Sequence, residues 1–276
     1  DIGGVLYFTA VTSTEGRELW KTDGTEAGTI MLKDIYTGAT NSNPGNITVA
    51  GSTIFFTATD AANGTELWKT DGTEAGTVLV KDIRPGTTGS SMANLIALNN
   101  KLVFTAWDGT TGTELWISDG TDAGALLADI NAGTGSSSPS LLVAMGNMVY
   151  FSANDGVNGS ELWKTDGTVA GTVMVKDINT GTSGSNPGQL ININGTLYFA
   201  ATSAGIGQEL WKTDGTELGT MLVKDINPGA NNSTPTALWD VTGTLYLLAY
   251  NGTQWSLMKS DGTAAGTVAL NSTVVN

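Results

Sequence analysis

The sequence predicts an all-β fold, a six-bladed β-propeller with four antiparallel strands per blade and about 48 residues per repeat, on three observations. First, the tripeptide Asp-Gly-Thr begins at Asp23, Asp71, Asp119, Asp166, Asp214 and Asp261, at intervals of 47 or 48 residues. A period of about 40 to 50 residues marks propellers and stacked arrays, in which one unit cannot bury its own apolar face and must lean on the next. Second, each period holds four short runs rich in β-branched and aromatic residues, separated by Gly, Asn, Asp and Pro. Third, no segment repeats apolar residues at helical spacing, so helix has no support. The expected repeats are approximately 1–42, 43–90, 91–137, 138–185, 186–233 and 234–276, forming one domain.

Residues 43–90 justify the four strands in order. After the turn Asn43-Pro44-Gly45 comes a first strand around Ile47-Thr48-Val49-Ala50. Gly51-Ser52 then makes a two-residue hairpin turn, matched by Asn99-Asn100, Gly146-Asn147, Asn194-Gly195 and Thr242-Gly243. Asn and Gly suit that turn because they tolerate positive φ. Ile54-Phe55-Phe56-Thr57-Ala58 is the second strand, and a polar loop around Asp60 to Gly64 leads to the third, Glu66-Leu67-Trp68-Lys69. The turn Asp71-Gly72-Thr73-Glu74-Ala75-Gly76 delivers the fourth, Thr77 to Ile83, and a longer link from Arg84 to Met92 reaches the next period. In a propeller the first strand lines the axis and the long link crosses from the outer strand of one blade to the inner strand of the next.

Composition excludes several chemistries. The 276 residues include no Cys and no His, which removes disulfides, thiolate nucleophiles, imidazole ligands and His-based triads. Twelve Lys plus Arg face 26 Asp plus Glu, a net charge of −14 that repels nucleic-acid phosphates and anionic lipid. No apolar run approaches the ~20 residues of a membrane span, so no membrane insertion is expected.

The block Glu-Leu-Trp-Lys-Thr-Asp-Gly-Thr starts at Glu18, Glu66, Glu161 and Glu209, and Glu114 opens the variant Glu-Leu-Trp-Ile-Ser-Asp-Gly-Thr. With Gly28-Thr29, Gly76-Thr77 and the Lys-Asp-Ile strands, the chain resembles the bacterial ELWxxDGT repeat family over essentially its whole length. The sixth period departs, since Ser256-Leu257-Met258-Lys259-Ser260-Asp261-Gly262-Thr263 keeps the turn but replaces Glu and Trp. The resemblance implies a secreted or cell-surface bacterial protein with a propeller-like repeat region, and no settled activity. The Ser/Thr-Asp-Gly-Thr turn also resembles the Asp-box of sialidase-type propellers, where the Asp accepts hydrogen bonds from turn amides. Sialidases need an arginine cluster, whereas this chain has only Arg17 and Arg84, in different repeats.

Candidate sites divide into residues that follow the repeat and residues that break it. Trp20, Trp68, Trp116, Trp163 and Trp211 recur strictly, which assigns them a structural task, an indole wedged between neighbouring blades. Asp23, Asp71, Asp119, Asp166, Asp214 and Asp261 are read as turn stabilisers. The pairs Lys33-Asp34, Lys81-Asp82, Lys176-Asp177 and Lys224-Asp225 are read as charges guarding an exposed outer edge. Trp107, Trp239 and Trp255 fall outside the repeat position, and with Tyr246 and Tyr250 they are the candidate contact residues for a ligand. Eight Asn-X-Ser/Thr sequons, at Asn46, Asn63, Asn158, Asn194, Asn231, Asn232, Asn251 and Asn271, are read chiefly as turn chemistry. No catalytic residue, metal site or cofactor is expected, although Ca²⁺ is kept as a candidate ion. Asp23 with Glu26 offers only part of the six to eight oxygens Ca²⁺ takes.

The functional expectation is a non-enzymatic extracellular adhesion, interaction or surface-structural module with a carbohydrate or protein ligand. The alternatives are a glycoside-active propeller enzyme using a carboxylate pair and a Ca²⁺-stabilised scaffold. Dividing the length by the period gives about 5.8 repeats. The deficit falls on the first strand of the first blade, which makes that blade an expected place for imperfect closure through Ser272 to Asn276, for a cut chain, or for self-assembly by strand donation.

Overall fold

The computed structural model describes residues 1–270, so the expected closing segment and the sequon at Asn271 lie outside the described residues. All regular structure in that range is β, in six antiparallel sheets whose strand order follows the chain. Sheet 1 holds three strands, β1 (Leu6–Thr12), β2 (Gly16–Thr22) and β3 (Ile30–Lys33). Sheet 2 holds four, β4 (Gly45–Ala50), β5 (Thr53–Asp60), β6 (Gly64–Thr70) and β7 (Val78–Lys81). Sheet 3 follows with β8 (Ala93–Leu98), β9 (Lys101–Trp107), β10 (Thr113–Ser118) and β11 (Leu126–Ala128). Sheet 4 is β12 (Ser140–Met145), β13 (Met148–Asn154), β14 (Ser160–Thr165) and β15 (Val173–Lys176). Sheet 5 is β16 (Gly188–Ile193), β17 (Thr196–Ser203), β18 (Gly207–Thr213) and β19 (Met221–Lys224). Sheet 6 is β20 (Thr236–Val241), β21 (Thr244–Tyr250), β22 (Trp255–Ser260) and β23 (Val268–Ala269).

The expected hairpin turns are present with the φ angles that selected their residues, 63° at Gly51, 56° at Asn99, 60° at Gly146, 51° at Asn194 and 51° at Thr242. The first strand of each four-stranded sheet carries a bulge, as between Gly45↔Thr57 and Thr48↔Phe55. The residue inside that bulge takes a left-handed conformation, at Asn46, Asn94, Leu141, Gln189 and Ala237.

The chain groups into two compact units, Asp1–Asp129 and Ile130–Asn276. The division falls just after β11, in the link between the third and fourth sheets. Within the first unit the first strands β4 and β8 touch, and within the second β12 touches β16 and β16 touches β20.

Each unit buries its apolar residues between successive sheets. Leu19, Leu32 and Ile35 of sheet 1 meet Phe56, Ala58 and Trp68 of sheet 2. The opposite face of sheet 2, with Phe55, Leu67 and Val80, meets Leu102, Phe104 and Trp116 of sheet 3. In the second unit Leu162 and Val175 of sheet 4 meet Phe199 and Trp211 of sheet 5. Leu210 and Val223 of sheet 5 meet Leu247 and Met258 of sheet 6. The Glu-Leu-Trp triplet explains the pattern, because adjacent residues of a strand point to opposite faces. Leu therefore faces the following sheet and Trp the preceding one. Met258 fills the indole's place in the sixth period.

Candidate functional site

The Asp-Gly-Thr turn is assembled almost wholly from its own side chains. In sheet 2, Thr73 donates to Asp71 Oδ1 through its backbone N–H (2.9 Å) and through its hydroxyl (2.7 Å). The Gly76 N–H donates to Thr73 Oγ1 at 2.9 Å, and Thr77 Oγ1 donates to the Thr73 carbonyl at 2.7 Å. Thr70 Oγ1 accepts from the Gly72 N–H at 3.0 Å. A Cβ on Gly76 would run into the Asp71 carboxylate, so the glycine five residues after each Asp is demanded by close approach. The Thr73 hydrogen bonds hold the Asp71 carboxyl below the usual carboxylate range, and Asp23, Asp119, Asp214 and Asp261 behave alike. These aspartates work as turn stabilisers.

The turn also receives the preceding sheet. Lys21 donates its ammonium to the Gly72 carbonyl (2.7 Å) and Lys33 to the Thr77 carbonyl (2.9 Å). In the second unit Lys164 reaches Gly215 and Lys176 reaches Thr220, while Lys212 reaches Gly262 and Lys224 reaches Thr267. Lys81 instead forms an ion pair with Asp122 at 3.0 Å. The strand lysines expected to guard an outer edge are thus bolts between sheets. Alternation along a strand reveals which face a lysine takes, but not that an acceptor about one period later in sequence lies opposite.

The glutamate of Glu-Leu-Trp has a role that the sequence reading did not assign. Glu18, Glu66, Glu114, Glu161 and Glu209 are fully buried. Glu66 Oε2 accepts from Ile83 N (3.2 Å) and Ser90 Oγ (2.8 Å), and Oε1 accepts from Arg84 N (3.4 Å). Glu161 holds Ile178, Asn179 and Ser185 in the same way, and Glu209 holds Ile226 and Ser233. Each carboxylate fastens the link that leaves its own sheet. Burial pushes the Glu66 carboxyl up to about 7 despite those hydrogen bonds, with the Asp82 charge adding to the rise. Burial likewise raises Glu18, Glu161 and Glu209. The available signal was a serine 24 residues after the Glu, at Ser42, Ser90, Ser185 and Ser233.

The indoles of Trp68, Trp116 and Trp211 are buried between sheets as expected, while Trp20 and Trp163 are half-buried. Of the five candidate contact residues, Trp107 belongs to the first unit, and the four of the second unit form two cross-strand pairs. Trp107 closes β9 with the Arg84 guanidinium carbon 3.9 Å from its ring centroid. Arg84 also donates to the Gly89 carbonyl at 3.4 Å, so this pair clamps the link between sheets 2 and 3. Tyr250 and Trp255 face each other across the β21–β22 hairpin, with ring centroids 6.2 Å apart. Trp239 pairs with Tyr246 near the other end of β21. Four residues of extended strand separate the two tyrosines, roughly 13 Å.

Shallow cavities lie beside the Asp-Gly-Thr turns. One of about 360 Å³ is lined by Lys69, Thr70, Asp71 and Gly76, and an equivalent of about 380 Å³ by Lys259, Ser260, Asp261 and Gly266. Among the described residues no group of three or more acidic side chains is arranged to hold a metal ion, and no helix is long and apolar enough to cross a membrane.

No protein-family model and no curated protein matches the chain. Solved structures of similar fold include a puromycin hydrolase, 12% identical, with a TM-score of 0.46, covering 98% of this chain and 47% of that one. Another is the β-propeller domain of the Trilobed protease from Pyrococcus furiosus, 13% identical, with a TM-score of 0.43 and coverage of 99% and 82%. A third is prolyl oligopeptidase B from Galerina marginata, 12% identical, with a TM-score of 0.47 and coverage of 99% and 41%. The chain thus spans less than half the length of the puromycin hydrolase and prolyl oligopeptidase structures it matches. The expectation of a non-enzymatic adhesion, interaction or surface-structural module is corrected by these comparisons, whose structures belong to a hydrolase and to peptidases.

Proposed function

We propose that the six sheets are the blades of one β-propeller and that this propeller serves a hydrolytic enzyme as a rigid domain that does not itself cleave the substrate. The observation that carries this reading is the employment of the repeated polar residues. The buried glutamates fasten links, the aspartates close turns, and the strand lysines bolt one sheet to the next. Such a scaffold is built to hold position, and with neither His nor Cys its own residues offer no imidazole base or thiol nucleophile. The eight-residue blocks add the ELWxxDGT repeat family and a secreted or cell-surface location to the proposal.

The purified chain, incubated with chromogenic peptides and glycosides, is expected to show no turnover; turnover abolished by substituting one of its own residues would sink the non-cleaving role. A fluorophosphonate probe applied to the source cells is expected to label a polypeptide or complex that an antibody to this chain recovers. Recovery without label removes the association with a serine-type hydrolase.

A further inference from the structure

We propose that Glu18, Glu66, Glu161 and Glu209 each share one proton with the aspartate facing them at the end of the outer strand, and that this proton latches the link leaving the sheet. The register places the two side chains. Leu19 pairs with Lys33, Leu67 with Lys81, Leu162 with Lys176 and Leu210 with Lys224. One step further along, Glu18 therefore stands opposite Asp34, Glu66 opposite Asp82, Glu161 opposite Asp177 and Glu209 opposite Asp225. Side chains so opposed are about 5 Å apart at Cβ, and like charges there repel.

The hydrogen bonds show where the proton is needed. Oδ1 of Asp34, Asp82, Asp177 and Asp225 is buried without a hydrogen-bond partner. A buried acceptor that lacks a donor is costly. The link brings its donors to the glutamate instead, Ile83 N, Arg84 N and Ser90 Oγ in sheet 2. Glu66 Oε1 carries only the long bond of 3.4 Å from Arg84 N, which leaves room for a proton. A proton on that carboxyl gives Asp82 Oδ1 its donor and removes one of two facing charges.

Among the described residues the cations nearby are engaged elsewhere. Across β5 Glu66 faces Ala58, and Glu18, Glu161 and Glu209 face Ala10, Ala153 and Ala201. Asp60, further along β5, is held by the Ala62 and Asn63 amides. Arg84 stacks on Trp107, and Lys81 pairs with Asp122. From sheet 1, Lys21 and Lys33 reach the Gly72 and Thr77 carbonyls, beyond the other end of β6. Lys164 and Lys176 of sheet 4 do the same in sheet 5. Burial raises all four glutamate carboxyls, and the Asp82 charge adds to the rise at Glu66. The latch is therefore complete in acid and is lost as pH rises through about 7 at Glu66. Two bare carboxylates then face each other in a buried space, and the Ile83 to Ser90 link is released.

The test follows glutamate carboxyl ¹³C signals and amide hydrogen exchange of the 276-residue chain from about pH 4 to about pH 9. Glu66→Gln identifies the Glu66 signal by its loss. Asp82→Asn keeps the side chain's shape and removes the facing charge, and is expected to lower the Glu66 midpoint by about one pH unit or more. In the unaltered chain, protection of the Ile83 amide, corrected for intrinsic exchange, is expected to fall about tenfold above the midpoint. Glu66→Gln, whose amide donates to Asp82 at every pH, is expected to keep Ile83 protected throughout. Two results overturn the proposal: a Glu66 midpoint unmoved by Asp82→Asn, which leaves burial alone as the cause, or Ile83 protection that passes the midpoint unchanged.

Discussion

Sheets 1 and 2 carry nearly the same sequence in their second strands and bury it differently. Phe55, Phe56 and Ala58 of β5 are fully buried, whereas Tyr7, Phe8 and Ala10, one period earlier in β1, are half-buried. The third strands and the Asp-Gly-Thr turns of the two sheets are hydrogen-bonded alike. The motif thus determines strand and turn wherever it occurs. How much apolar surface leaves water depends on the strand and sheet alongside, and at about 25 cal/mol per Å² that difference is a difference in stability.

The strongest way to break the comparison is to truncate matching aromatics. Phe56→Ala is expected to cost about 3–5 kcal/mol, and Phe8→Ala about 1–2 kcal/mol, since less of Phe8 is removed from water. Urea denaturation of the two variants measures the gap, and equal losses would show that burial is set by the motif alone.

Next in size is the glutamate. Glu66→Ala leaves the Ile83 and Arg84 amides and the Ser90 hydroxyl without their acceptor, an expected loss of about 2–4 kcal/mol. The same residue gives stability a pH dependence. Its folded carboxyl titrates near 7, above the ordinary 4.5, so its folded form prefers the proton. That contribution is complete below about pH 4.5 and is lost as pH rises through about 7. Glu66→Gln is expected to flatten this part of the Tm-versus-pH curve between pH 5 and 8; an unaltered curve would place the titration elsewhere.

Gly76→Ala forces a Cβ into the Asp71 carboxylate and is expected to cost about 1–3 kcal/mol, with Gly28→Ala in sheet 1 costing the same. Agreement would confirm that the turn is indifferent to its sheet. The smallest expected effect is Lys33→Met, which removes one ammonium from the Thr77 carbonyl for about 1 kcal/mol by thermal melting.

What could be read from the sequence follows the same division. The turn, the strand spans and the indole wedge at Trp68, Trp116 and Trp211 were legible because each rests on local geometry or on alternation. The inward glutamates were not, since a charged residue on a strand is ordinarily solvated. Only the serine in the following link discloses that Glu66 has a partner. The lysines were misread because their acceptors belong to the next period. Trp107 was singled out for departing from the repeat, and the departure proved to be coupled to a second one at Arg84, where three later repeats have Asn131, Asn179 and Asn227.

The two faces of a repeat are different surfaces, one offering leucine and ammonium groups, the other an aromatic ring and a turn with bare carbonyls. A tandem duplication of about 48 residues therefore yields a copy that already fits the neighbour on either side, with no new contact to evolve. Such a gene can gain or lose a period without inventing an interface. The near identity of the blocks at Glu18, Glu66, Glu161 and Glu209 is what recent copying would leave behind.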